Sequence, residues 1–164
     1  MKLYHYTNQF AAILILADRH ILPQGLWRQL VWFTSSIQCD PTILTGEGSY
    51  REYAERYGLF RFGIDLDLPH PPIGRWLDDP KHDSAMGRCL DYTGMMLGSN
   101  PSDWWLSNEP IPVTIASCEE LVGGVFVPAK LRKPSKRRLL RMRRDHEAAQ
   151  IRWAEEARVA AEID

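Results

Sequence analysis

Three kinds of polar group in this chain are each set in a short apolar or aromatic stretch. They are the imidazole of His5 within Leu3-Tyr4-His5-Tyr6-Thr7, the hydroxyls that close Val31-Trp32-Phe33-Thr34-Ser35-Ser36, and the Glu109 carboxylate in Asp103-Trp104-Trp105-Leu106-Ser107-Asn108-Glu109-Pro110. Apolar residues gathered around one or two polar ones are the pattern of short strands. An imidazole and hydroxyls can fix the hydroxyls of a ligand, and a carboxylate can face positive charge that develops during a reaction. About a hundred residues separate the first segment from the last, so these groups can meet only in a site assembled from separate strands.

The order of these segments resembles the ADP-ribosyltransferase fold, the family of diphtheria toxin, cholera toxin and the poly-ADP-ribose polymerases. In that family a first strand carries His or Arg, a second carries an aromatic-Ser/Thr-x-Ser element, and a late strand carries Glu. The residues that match are His5, Phe33-Thr34-Ser35-Ser36 and Glu109. The stretch from Met1 to about Pro128 is also similar to a set of bacterial and phage proteins with Tyr-His-Tyr-Thr, Trp-Phe-Thr and Trp-Trp-x-x-x-Glu-x-Pro-Ile-Pro segments.

The resemblance implies an α+β domain with a split antiparallel sheet and flanking helices. It implies NAD as substrate, with the nicotinamide N-glycosidic bond cleaved and ADP-ribose passed to a protein or nucleic-acid acceptor, as a toxin or phage effector would do. Such cleavage builds an oxocarbenium-like cation on the ribose. It needs a carboxylate near that sugar, a group that fixes the ribose hydroxyls, and an aromatic wall for the nicotinamide. On this reading Glu109 and His5 are catalytic, and His5, Tyr6, Thr7, Thr34, Ser35 and Tyr53 hold NAD. Glu109 would bond the ribose 2'-hydroxyl, His5 would hold a ribose, and Thr34 and Ser35 would support the Glu. One of Tyr50, Tyr53 and Tyr57 would stack on the ring. Ser107 stands two residues before Glu109, where arginine-specific toxins carry a second acid, which makes arginine a less favoured acceptor. Arg51, Arg61 and Arg75 are too scattered for the arginine set of the branch that removes a 2'-phosphate from RNA.

Positioning these groups calls for a core, and 164 residues with 45% hydrophobic and 25% charged content are enough for one domain without staples. Cys39, Cys89 and Cys118 form an odd, widely spaced set with no CxxC pair, so reduced thiols are expected and no metal is assigned. No apolar run reaches the length of a membrane span, and Phe10 to Ala17 is too short and lacks a basic leader. A cytoplasmic protein without a membrane partner is expected.

The net charge of -1 hides two different parts. Residues 1-128 hold 9 Lys+Arg against 15 Asp+Glu, whereas residues 129-164 hold 11 against 6. Lys130 to Arg144 has nine Lys/Arg and no acid, and a helix-forming Ala/Glu/Arg stretch follows it. The expected organisation is an ADP-ribosyltransferase-like domain over 1-128 and a basic helical tail over 129-164. That tail is too polar to make its own core. It should extend away or pack on a partner chain, support self-association, and bind DNA or RNA through Lys130 to Arg144.

Local patterning places the elements. Strands are expected at Leu3-Thr7, Leu30-Thr34, Phe60-Leu66, Asp103-Ser107, Ile111-Ile115 and Gly124-Val127, with Glu119 and Glu120 in a turn or short helix. Helices are expected after Asn8, with apolar positions Phe10, Ile13, Leu14 and Ala17; over Tyr50-Tyr57, stopped by Gly58; and after Ser84. A loop carries Pro41, Gly46 and Gly48. Mixed elements without strict βαβ alternation fit antiparallel pairing.

Two other classes compete. A relative that has kept the fold without catalysis would act as a nucleic-acid- or protein-binding module through the basic run. A metal-dependent hydrolase would draw on His5, His20, His70 and His82 with Asp78, Asp79 and Asp83, but none of the histidines shows an HxH or HxxxH spacing. No GxSxG elbow occurs for Ser-His-Asp catalysis.

Overall fold

A computed structural model describes residues 1-23, 29-39, 50-132 and 134-161. The elements are β1 (Lys2–Thr7), α1 (Gln9–Asp18), β2 (His20–Ile21), β3 (Val31–Thr34), α2 (Tyr50–Tyr57), β4 (Phe60–Asp65), β5 (Gly74–Arg75), α3 (Ala85–Met96), β6 (Trp104–Ser107), β7 (Ile111–Pro112), β8 (Ala116–Val122), β9 (Val125–Pro128) and α4 (Lys136–Ala161). Seven strands form one sheet in the order β5-β6-β3-β1-β4-β8-β9, and every pairing is antiparallel. β2 and β7 make a separate two-stranded ribbon. Among the described residues the fold is α+β, with an antiparallel sheet and four α-helices including a C-terminal one. Among the described residues no helix is long and apolar enough to cross a membrane. The loop expected around Pro41, Gly46 and Gly48 lies outside the described residues.

The helix signals act as their chemistry requires. The Asn8 side chain accepts from the Ala11 amide at 2.9 Å, and the Ser84 hydroxyl accepts from the Gly87 amide at 3.0 Å, so each satisfies an orphan donor at a helix start. Gly58 follows α2 at φ 71, the left-handed conformation that needs no Cβ.

The sheet buries both faces. Leu3, Val31, Phe33, Phe62 and Ile64 form one core with Ala12 and Ile15 of α1 and with Ile21 and Ile111 of the ribbon. On the other face Tyr4 and Tyr6 pack with Leu59 and α2, while Leu30, Trp104 and Leu106 pack with Trp76. Trp104 and Trp105, which must point to opposite faces, therefore each have packing partners: Trp104 joins the tryptophan cluster and Trp105 joins the α1 core. α3 approaches closely because Gly94 lies against the Trp104 ring, leaving no room for a Cβ.

Three expectations are corrected. Glu119 and Glu120 belong to β8, where they pair with Arg61 and Phe60 of β4; the position is set by partner strands, which outweigh the weak strand propensity of Glu. The strand expected over Ile111-Ile115 stops at Pro112, and Val113–Ile115 is a 3-10 turn. The start of the basic helix does not extend away from the rest of the chain as expected, because α4 lies against α1. Met142 is buried, His146 meets Phe10 with ring centroids 6.2 Å apart, and Arg143 pairs with Asp18. Ala129 and Leu131 also pack on the α1 core, so packing continues past the charge boundary.

Candidate functional site

Register fixes which candidate side chains can meet. β3 lies between β1 and β6, so the three segments that carry His5, Thr34-Ser35 and Glu109 occupy adjacent strands or their ends. Tyr4 pairs with Thr34, and Thr34 with Trp104. Residues paired across a ladder share a face and neighbours along a strand alternate. Thr34 therefore shares the face of Tyr4 and Tyr6, opposite to His5. The ladder runs one step beyond β3 and β6, where the Ser35 amide donates to the Asp103 carbonyl at 2.9 Å. That step returns Ser35 and Asp103 to the face of His5, and there the Ser35 hydroxyl donates to Asp103 Oδ1 at 3.1 Å.

Glu109 lies at the other end of the β3-β6 pair, beyond the row that joins Val31 to Ser107. Three steps of strand, about 10 Å, separate that row from the Thr34–Trp104 row. The Ser107 hydroxyl accepts from the Glu109 amide at 3.1 Å, forming the bend that leaves Glu109 exposed. The expected support of Glu109 by Thr34 and Ser35 is not formed; the acid that Ser35 holds is Asp103. The sequence contains Asp103 in the same segment, but only the antiparallel register reveals its partner.

His5 is partly buried, with its ring 6.0 Å from that of Phe33. Burial pulls its pKa below the ordinary histidine value, more than the bond to the Trp32 carbonyl raises it. Nδ1 lies 2.9 Å from that carbonyl, and a carbonyl can only accept. The neutral ring therefore carries its proton on Nδ1, which makes Nε2 an acceptor.

No family model, no curated protein and no solved structure matches this chain.

The remaining candidates have defined settings. Tyr6 is buried, and its hydroxyl donates to the Ile37 carbonyl at 2.7 Å; burial pushes its pKa up to about 12, against the lowering effect of Arg61. Tyr53 packs on the Tyr4-Tyr6-Leu59 cluster and lies 5.1 Å from Tyr57, ring to ring. Thr7 ends β1, opposite Phe60. The structure thus gathers His5, Ser35 and Thr7 on one face with Asp103, and Tyr6, Thr34 and Tyr53 on the other.

Arg61 is a fixed structural cation on the tyrosine face. Its Nε donates to Glu119 at 2.7 Å, a terminal nitrogen donates to the Ile37 carbonyl at 3.1 Å, and its guanidinium lies 4.5 Å from the Tyr4 ring centre and 3.9 Å from that of Phe126. Burial pulls its pKa down, but Glu119 and Tyr6 outweigh that and hold it above the ordinary value. Among the described residues no group of three or more His, Cys, Asp or Glu could hold a metal. His82 is engaged instead by Asp91, its Nε2 donating at 2.8 Å.

The depressed His5 pKa makes folding sensitive to acid. An unfolded histidine takes up its proton near 6.5, while folded His5 resists until lower pH. The unfolded chain thus binds more protons in that window, and stability is lost as pH falls through it. Unfolding midpoints between pH 7.5 and 4.5 should fall more steeply in the wild type than in His5→Gln. Parallel curves would mean that His5 is not the buried neutral group described here.

Proposed function

We propose that this chain is an ADP-ribosyltransferase-like domain that binds NAD, cleaves its nicotinamide N-glycosidic bond and transfers ADP-ribose to a macromolecular acceptor. The observation that carries this reading is the adjacency of β6, β3 and β1. The three segments that carry the resemblance, far apart in sequence, lie side by side.

The chemistry of the site supports the same reading. A neutral His5 with Nε2 as acceptor suits a ribose hydroxyl, which donates. Asp103, fixed by Ser35, offers a preorganised carboxylate on the same face, the requirement for stabilising a ribosyl cation. Glu109 is the competing carboxylate, beyond the opposite end of the β3-β6 pair. The test is to incubate purified protein with NAD and measure released nicotinamide, alongside calorimetric NAD binding. Binding with release above the uncatalysed background is expected, and absence of both would remove NAD from this protein's function.

A further inference from the structure

The way α4 docks selects one part of the basic run and turns it outward. Leu139, Met142, His146, Ala149 and Gln150 are the buried or partly buried positions of residues 136-150, and their recurrence every three or four residues marks one helix face. That face is turned toward α1 through Met142, the His146–Phe10 contact and the Arg143–Asp18 pair. Arg137, Arg141 and Arg144 recur at the same spacing on the opposite face, flanked by Arg138, and all four are exposed. They frame an open groove with Ser135, Leu140 and Asp145.

Helix stability does not explain this arrangement. The first turn of α4 contains no acid and begins Lys136-Arg137-Arg138, placing cations at the positive end of the helix dipole. A bound anion reverses that penalty. Arg137 to Arg144 spans about 10.5 Å of helix at 1.5 Å per residue, a length over which a DNA duplex, with one charge per roughly 1.7 Å of axis, presents about six phosphates to the outward cations. A membrane surface fits less well, because an interfacial helix buries its apolar face in lipid. Here α1 covers that face.

We propose that the outward face of α4 is a phosphate track for nucleic acid, formed by Arg137, Arg141 and Arg144 and held in a fixed orientation by the α1 contact. The track is independent of NAD chemistry. The inner positions Leu139, Met142 and His146 set its direction, and Arg143 serves as an anchor to Asp18.

The test uses the full chain and 20-base-pair DNA and RNA duplexes in salt-titrated binding measurements. Changing Arg137, Arg141 and Arg144 together to Gln should lower duplex affinity by about 10²-fold at 0.1 M salt and reduce the slope of log K against log salt by about 2.7. A control changing exposed Lys2, Lys81 and Arg88 to Gln removes the same charge outside the basic run, and should leave the slope nearly intact. Circular dichroism should show an unchanged helix content in both variants. Equal losses in the two variants would mean attraction by net charge alone and would overturn the track. So would binding to phosphatidylserine vesicles but to neither duplex, or no salt-dependent binding at all.

Discussion

Asp103→Asn should lower nicotinamide release from NAD by about 10²-fold or more while leaving NAD binding and the fold in place, the scale lost with one preorganised electrostatic group. The amide keeps the size of the carboxylate and can still accept from Ser35, so only the charge facing the ribosyl cation is removed. Glu109→Gln should change turnover by no more than a few-fold, because Glu109 is exposed at a bend and Ser35 does not hold it. Single-turnover assays with both variants decide between the acids. A hundred-fold loss in Glu109→Gln with an unaffected Asp103→Asn would move the chemistry to the Thr7-Ser107 end of the sheet. Two active variants would leave the proposed carboxylate mechanism without a carboxylate.

The second large effect concerns stability. Trp76 is fully buried, its ring lies 5.3 Å from Trp32 and 5.4 Å from His82, and its indole N–H donates to Asp91 Oδ1 at 2.6 Å. It thus joins the sheet, the turn before α3 and α3 itself. Trp76→Ala should cost about 3–5 kcal/mol through lost burial and the cavity left behind, out of roughly 5–15 kcal/mol for a typical domain. Trp76→Phe retains most of the apolar volume and loses the donor, so about 1–3 kcal/mol is expected. Urea unfolding with a shared slope would measure both. An Ala variant that loses less than the Phe variant would show that the tryptophan cluster does not hold α3.

Elements whose signals are local can be read directly from the residues. Asn8, Ser84 and Gly58 mark helix ends because caps and left-handed glycines act within a few residues. The alternation of Phe60, Phe62 and Ile64 was legible as a strand, although β4 is central and buries Arg61 and Gly63 as well. α1 is apolar nearly all round in Phe10-Ala11-Ala12-Ile13-Leu14-Ile15-Leu16-Ala17, which hides its sheet-facing side. The same feature was the available signal that a second element, α4, would cover another flank.

Tertiary structure decided the features that depend on register and partners. Glu119 and Glu120 form part of a strand only because β4 and β9 flank them. β2, β5 and β7 are two residues each, too short for any period to announce. His5, Ser35 and Glu109 were visible as candidates from their residue types. Pairing between strands then decided that Ser35 meets Asp103, because a one-residue shift in an antiparallel ladder turns every side chain to the other face. The basic run was visible as charge, whereas docking against α1 decided which arginines face outward.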